Sequence, residues 1–204
     1  ANQHFSRPTD TEHDFFRRPL LRMSDRQFVM LDRSVCAHAF LEALLTQLRE
    51  EIERLDDKIG PAIERFIEAE FASHGVPVRS GSYVVADNDR GECDLVIETP
   101  ETVIFLEVKK KSLTRLARSG SYTHLLLDLA NSLLLAQAQA GWHEVRLRHY
   151  GYLDLKREDE ATTRLELNGR QVGRVAVTLF DFGSFQDRIL LSQFLEAAMR
   201  VQFI

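Results

Sequence analysis

Cysteine is nearly absent from this chain, which carries only Cys36 and Cys93 among its 204 residues. The two lie far apart and lack the close spacing of zinc-binding cysteines. Isolated thiols argue against a disulfide-stabilised secreted fold and favour a reducing cytoplasm. We therefore expect both to be small buried hydrophobic residues in a cytoplasmic protein.

Long apolar runs are missing too. No stretch approaches eighteen consecutive apolar residues, and the N-terminus is too polar for a signal peptide. We therefore expect no membrane partner. The chain begins at Ala1 and not at a methionine, which is consistent with a trimmed chain or a piece of a longer protein.

Positive charge is in deficit, since 26 Lys and Arg face 31 Asp and Glu and give a formal net charge of -5. This balance argues against binding nucleic acid by bulk electrostatics alone. It is compatible with an enzyme that carries positive charge locally and neutralises an acidic site with cations. The HExxH, GxSxG, P-loop and GxGxxG motifs are all lacking, so the enzyme classes they mark have no support.

The residues that are present suit a globular domain, with 44% apolar and 28% charged side chains. Residues 1–26 have no clear periodicity and read as an extended or loosely packed arm. Helical spacing of apolar residues then predicts a helix over about 34–55, which Gly60-Pro61 should separate from a second helix at about 61–73. We therefore expect an N-terminal arm and helix over 1–58 and the main domain over 59–204.

The rest of the chain alternates between strand and helix patterns. In chain order we predict strands at about 78–86, 92–98 and 102–110, a helix at 121–141, a strand at 145–155, a hairpin around Asn168-Gly169 joining strands near 163–167 and 172–180, and a helix at 186–202. Three consecutive strands followed by a helix indicate an α/β fold of the α+β kind, with a mixed sheet and not a doubly wound parallel one.

Acidic side chains stand on two of these predicted strands. By alternation, Asp94 shares a face with Glu92 and Val96, opposite Cys93, Leu95 and Ile97. If the hairpin folds symmetrically about Pro100-Glu101, paired residue numbers sum to 201 and Asp94 lies across from Glu107. Their Cβ atoms would then be roughly 5 Å apart.

Two carboxylates facing each other would destabilise the sheet unless a cation joined them. Mg²⁺ favours such hard oxygen ligands. Lys109 follows Glu107 by two positions on the same face, so its ammonium can reach a water or a phosphate oxygen held there. Phosphodiester hydrolysis needs a Lewis acid, an in-line water and positive charge near the phosphate, and these residues supply that set.

The pattern of Asp94, twelve intervening residues and Glu107-Val108-Lys109 resembles the PD-(D/E)xK nuclease superfamily. That superfamily includes restriction endonucleases, archaeal Holliday-junction resolvases and RecB-type nuclease domains. The resemblance implies a restriction-endonuclease-like core of helix, three strands, helix and strand, which matches the order predicted for about 61–155. It covers roughly half of the chain.

By this resemblance Asp94, Glu107 and the main chain of Val108 would hold Mg²⁺ or Mn²⁺, and Lys109 would orient or activate the attacking water. An acid on the first core helix often completes the site, and Glu64 stands at the spacing from a glycine that many members show. Cys93 replaces the proline that often precedes the first acid.

Two positions of the site stay open between neighbouring residues. Glu68 and Glu70 compete with Glu64 for the place of the helix acid. Some members also place a glutamine on the helix after the third strand, where Gln137 fits and Gln139 competes.

A basic run follows the third strand and could grip a phosphate backbone or simply be solvated. It consists of Lys110, Lys111, Arg115 and Arg118. The expected function is metal-dependent hydrolysis of DNA that leaves 5′-phosphate ends. The alternatives are an inactive binding or assembly module of the same fold, and a defence or repair effector that is active only in a larger assembly. The sequence does not fix the oligomeric state: the final helix could serve a homodimer contact, and a larger protein assembly is the alternative.

Overall fold

The computed structural model describes residues 19–30, 32–86, 89–158 and 160–201. Contacts divide the chain into two compact units. The helical unit comprises 1–46, 112–125 and 180–204, and the sheet unit comprises 47–111 and 126–179. The division expected at residue 58 follows the chain, whereas these units group stretches that are distant in sequence. None of the helices described is both long and apolar enough to cross a membrane.

The helices and strands of the described residues follow one another in short runs of the same kind. In order they are β1 (Leu20–Arg22), β2 (Phe28–Met30), α1 (Arg33–Glu51), α2 (Leu55–Ser73), β3 (Val78–Ala86), β4 (Asp89–Glu98), β5 (Thr102–Lys109), α3 (Arg115–Arg118), α4 (Tyr122–Leu129), α5 (Leu135–Tyr150), β6 (Tyr152–Leu155), β7 (Thr163–Glu166), β8 (Gln171–Thr178) and α6 (Arg188–Val201). A π-helical turn, Ala130–Leu134, joins α4 to α5, and a 3-10 turn, Gly183–Gln186, precedes α6.

A four-stranded mixed sheet forms the centre of the sheet unit, in the order β3-β4-β5-β8. The first three strands are antiparallel neighbours, and β8 runs parallel to β5. The predicted mixed α/β fold is therefore confirmed. The strand expected at 145–155 is wrong in most of its length, because α5 continues to Tyr150 and β6 pairs with β7 instead of joining this sheet.

The predicted turn at Asn168-Gly169 is present, with φ angles of 46° and 73° and a hydrogen bond from the Arg170 N–H to the Leu167 carbonyl. The prediction that this turn joins two paired strands of a hairpin is nevertheless wrong. Its two strands lie in different sheets, since β7 pairs with β6 and β8 pairs with β5. The turn sequence specifies the local backbone. The strand after the turn nevertheless pairs with β5 and not with β7.

The boundary predicted at Gly60-Pro61 is also wrong. The break lies earlier, between Glu51 and Leu55, where Arg54 adopts a left-handed conformation with φ 55°. Asp56 and Asp57 in the first turn of α2 favour a helix start there, because acids complement the positive end of the helix dipole. Pro61 costs α2 one backbone hydrogen bond and does not end it.

The predicted arm is partly ordered into structure, since β1 and β2 form an antiparallel pair in the helical unit. Residues 1–18 of the arm lie outside the described residues. Cys36 on α1 is 1% exposed, and its thiol donates to the Pro19 carbonyl at 3.8 Å. Cys36 thus has the buried position expected of it.

Both faces of the central sheet are packed. One face buries a cluster that includes side chains of α5, β6 and β7: Tyr83, Cys93, Val96, Val103, Phe105, Ala140, Leu147, Leu153, Leu155 and Leu165. The other face buries Leu95, Ile97 and Leu106 against Ile67 and Phe71 of α2. The sheet therefore lies between α2 and α5, and apolar side chains are buried on both of its faces.

The strict alternation predicted along β4 fails at one point. Cys93 packs with Val96 and not with Leu95 and Ile97, as alternation had predicted. A register shift in the pairing of β3 with β4 lies between Arg79 and Gly81 on β3, and between Val96 and Cys93 on β4. A β-bulge of this kind re-aims the side chains beside it.

Gly81 allows the end of β6 to approach β3. Its φ is +137°, and a Cβ there would stand 2.7 Å from the Lys156 carbonyl oxygen. Ser82 and Lys156 exchange two backbone hydrogen bonds at this point, of 3.0 and 2.8 Å. A side chain at position 81 would therefore meet both a strained backbone and an immovable neighbour.

We expect Gly81→Ala to lower the free energy of unfolding by about 2 kcal/mol or more, because strain and a backbone clash add together. Gly151→Ala is the matched control, since Gly151 also has a positive φ, 80°, but nothing lies within 4 Å of a Cβ there. It should lose only about 1 kcal/mol. Urea unfolding measures both, and equal losses would refute the close approach at Gly81.

Candidate functional site

The register between β4 and β5 is the one that the sequence predicted. The observed pairs are Leu95 with Leu106, Val96 with Phe105 and Ile97 with Ile104, so their numbers sum to 201. These pairs stop one residue short of Asp94 and Glu107. Asp94 is held to β5 by its Oδ2, which accepts a hydrogen bond of 2.8 Å from the Val108 N–H.

Glu107 is buried almost completely, with 1% of its surface exposed. Its Oε1 lies 3.1 Å from the His143 Nε2, and its Oε2 lies 3.5 Å from the Lys109 Nζ. A buried carboxylate without such partners would be strongly destabilising. The two oxygens of Glu107 therefore differ, one held by an imidazole and the other beside an ammonium.

Lys109 ends β5 on the same side as Glu107, as alternation predicted. Its side chain is 16% exposed. The strand is held there by β8, since the Leu179 N–H donates to the Lys109 carbonyl. Asp94, Glu107 and Lys109 thus converge at one end of the β4-β5 pair.

Glu64 lies on α2 in the electrostatic field of this group. Burial raises the pKa of its carboxyl, and the charges of Asp94, Glu92 and Glu107 raise it further. Glu68 instead forms a two-pronged ion pair with Arg157, at 2.9 and 2.6 Å.

Glu70 is exposed, and its carboxylate lies 3.8 Å from the His74 ring. Of the three competing helix acids, Glu64 is therefore the best placed for the acidic group.

The two glutamines of α5 differ in their surroundings. Gln137 is half-buried, and within the described residues no hydrogen bond joins it to Asp94 or Glu107. Gln139 has a buried Oε1 that finds no hydrogen-bond partner among the same residues. Gln137 stays a prediction, and Gln139 stays its competitor.

The basic run is partly engaged with carboxylates. The Lys111 Nζ lies 3.1 Å from Asp128, a residue that is 3% exposed, and Arg118 lies 2.8 Å from Glu42 within the helical unit. The Lys110 ammonium donates to the Asp56 carbonyl, and Arg115 is exposed on α3. Phosphate binding by these four residues stays a prediction.

The sequence interpretation missed His143. It lies 4% exposed on α5, in the stripe of Ala136, Ala140 and Leu147 that faces the sheet. A ring nitrogen on an apolar stripe needs a partner, and this could have drawn attention to an acid on the strand beneath.

The His143 ring begins a chain of polar contacts that leads away from Glu107. Its Nδ1 is 2.6 Å from the Tyr83 hydroxyl, which accepts from Arg146 at 3.2 Å. Arg146 in turn donates to Asp89 at 2.6 Å. The Glu107 carboxylate is therefore connected through three side chains to Asp89 at the start of β4.

The carboxylates of the site repel one another electrostatically. Burial raises the pKa of the Asp94 carboxyl, the negative charge of Glu107 raises it further, and the Val108 N–H partly offsets this. Burial also raises the pKa of the Cys93 thiol well above its usual range, so Cys93 stays a neutral buried residue, as expected. The arrangement concentrates negative charge where a cation would relieve it.

The donor set fits a hard divalent cation in chemistry and charge, because Asp94, Glu107 and Glu64 offer carboxylate oxygens. Within the described ranges no three His, Cys, Asp or Glu side chains are already grouped closely enough to hold a metal. Ligation would therefore require a local adjustment of side chains, most simply of Glu64.

Comparisons with protein-family models, with curated proteins and with solved structures found no match for this chain. The chain is a mixed α/β protein with an acidic cluster and a lysine at one end of the β4-β5 pair.

We expect the metal-free protein to lose stability as pH rises from the ordinary carboxyl values of 3.8 and 4.5 through the raised pKa values of Asp94 and Glu64. The sign follows because the folded state binds these protons more tightly than the unfolded state does. Asp94→Asn keeps an acceptor for the Val108 N–H and should flatten this slope in urea unfolding with EDTA.

The control is Asp154→Asn, because the contribution of Asp154 to stability depends on pH in the opposite direction. The Arg164 guanidinium lowers the pKa of Asp154, so its contribution is lost as pH falls and not as pH rises. If the free energy of unfolding falls with pH above pH 4 equally in wild type and in Asp94→Asn, the raised pKa of Asp94 and its repulsion by Glu107 are contradicted.

Proposed function

We propose that this chain is a metal-dependent nuclease of the PD-(D/E)xK kind that hydrolyses DNA phosphodiester bonds. The observation that carries the proposal is the hydrogen bond of 2.8 Å from the Val108 N–H to Asp94, which joins Asp94 to the strand that carries Glu107 and Lys109. Two acids and a lysine at one point are the parts that this reaction requires.

Each residue has a distinct task in this proposal. Asp94 and Glu107 hold the cation, with the Val108 main chain beside them, and Glu64 assists from α2. A bound Mg²⁺ or Mn²⁺ would supply Lewis acidity and a more acidic water. Lys109 keeps its ammonium near the Glu107 Oε2, where it can orient the attacking water or bind a phosphate oxygen.

The order of elements also supports the proposal. A helix, three antiparallel strands, a helix and a strand parallel to the third occur in this order as α2, β3, β4, β5, α5 and β8, with α3 and α4 inserted before α5 and with β6 and β7 inserted before β8. This is the order implied for a restriction-endonuclease-like core. The strand that fills the last place in this comparison is β8, in place of the one predicted at 145–155.

DNA is the proposed substrate and a cytoplasmic setting is the proposed location. The net charge of -5 means that contact with phosphates must be local, through Lys109 and the exposed Lys110 of the sheet unit. Cutting both strands would suit a homodimer, and the exposed Ile189 and Leu190 of α6 provide apolar surface for one.

A binding or assembly module of the same fold is the second candidate. It is favoured by the engagement of both Glu107 oxygens, since His143 and Lys109 already satisfy this carboxylate without a metal. A module of this kind would bind DNA or a protein partner in the presence of a chelator, whereas the enzyme needs its cation.

The decisive experiment incubates purified protein with supercoiled and linear DNA, with Mg²⁺ or Mn²⁺ or with EDTA. We expect cleavage that EDTA abolishes and that Lys109→Ala reduces by about 100-fold or more, because charge near the phosphate is lost in the transition state. Lys58→Ala is the matched control, since Lys58 is an exposed lysine of α2 outside the site. Metal-independent binding without cleavage would favour the module instead.

The competing helix acids can be separated by Glu64→Gln and Glu68→Gln. We expect Glu64→Gln to weaken Mn²⁺ binding and cleavage while the fold stays intact. Glu68→Gln should lower the free energy of unfolding, because it breaks the ion pair with Arg157. Calorimetry, unfolding and cleavage rates measure the three effects, and the reverse pattern would assign Glu68 to the site.

A further inference from the structure

His143 is buried between the sheet and the rest of α5, and both of its ring nitrogens have a polar partner. Nε2 lies 3.1 Å from the Glu107 Oε1, and Nδ1 lies 2.6 Å from the Tyr83 hydroxyl. The Phe105 and Tyr83 rings pack against the imidazole with centroids at 5.5 and 5.6 Å. The ring therefore has little freedom to turn.

The direction of these hydrogen bonds follows from the far end of the chain. Arg146 can only donate, so the Tyr83 oxygen accepts from it at 3.2 Å. The Tyr83 hydroxyl proton is then free to point at Nδ1 of His143. When Nδ1 accepts that proton, the single ring proton of the neutral imidazole sits on Nε2, where it donates to Glu107.

We propose that His143 is a positioning residue for Glu107, an inference that rests on the proposed function. By holding Oε1, the imidazole fixes the carboxylate so that Oε2 is the oxygen presented beside Lys109. Partners of this kind orient metal-binding carboxylates, and their loss typically costs about 10–100-fold in metal affinity or activity.

The rest of the chain of contacts keeps the imidazole in place. A Cβ on Gly91 would overlap the Tyr83 ring, so β4 leaves room for the tyrosine at this residue. Asp89, on the same strand, holds Arg146 at 2.6 Å. The strand that carries Asp94 thus also anchors the group that orients Glu107.

The test compares two amides of different reach. In His143→Gln the side-chain nitrogen can occupy the place of Nε2 and still donate to Glu107, whereas in His143→Asn it reaches only the place of Nδ1. We expect Asn to lower the Mn²⁺ affinity and kcat by about 10–100-fold, and Gln to stay within a few-fold of wild type. His149→Gln, an exposed histidine of the same helix, is the control.

Three measurements accompany the variants: Mn²⁺ titration calorimetry, urea unfolding and ¹⁵N shifts of the imidazole in the metal-free protein. Unfolding identifies any variant that fails to fold, and Tyr83→Phe then provides a milder change that removes only one hydroxyl. It should lower the Mn²⁺ affinity and leave KM for DNA unchanged. The ¹⁵N shifts should report a proton on Nε2.

The outcomes separate the inference from the function on which it rests. Metal-dependent cleavage in wild type with equal Mn²⁺ affinity in the Gln and Asn variants overturns the positioning role alone, and so does a proton on Nδ1. Mn²⁺ binding without cleavage overturns the nuclease, while the Gln and Asn affinities still decide the role of His143. A wild-type protein that neither binds Mn²⁺ nor cleaves DNA overturns both.

Discussion

The burial of the Glu107 charge is the constraint on which the rest of the site depends. A carboxylate with 1% exposure needs partners, and the chain supplies them from two directions, His143 from α5 and Lys109 from its own strand. Asp94 on the neighbouring strand then adds a second negative charge that these partners do not neutralise. The packing of α5 on the sheet and the chemistry at the end of the β4-β5 pair are therefore parts of one electrostatic arrangement.

Much of the central hairpin could be predicted from the sequence, because its information is local. Strand alternation and a short Pro100-Glu101 connection were enough to fix the pairing sum of 201, which the structure confirms. The convergence of Asp94, Glu107 and Lys109 follows directly from that register. The single failure within the hairpin, at Cys93, comes from a bulge imposed by β3 and not by β5.

The remainder depends on contacts between distant segments, which spacing cannot reveal. The choice of β8 as the parallel neighbour of β5, the ion pair that occupies Glu68, and the reach of His143 across to Glu107 each join residues more than thirty positions apart. Pro61 is a further case, because the packing of Ile67 and Phe71 against the sheet outweighs the hydrogen bond that the proline removes. Burial of apolar side chains thus outweighs the local tendency of a proline to end a helix.

The π-helical turn between α4 and α5 changes the directions in which side chains before and after it point from the helix. Asp128 and His143 each face inward from the same continuous helix, one to meet Lys111 and the other to meet Glu107. In an uninterrupted α-helix these two residues, fifteen positions apart, would point about 60° away from each other. The wider winding of Ala130–Leu134 reduces that difference. A chain with one residue fewer in this turn would wind as an ordinary α-helix, and the two residues, then fourteen positions apart, would still point within about 40° of each other.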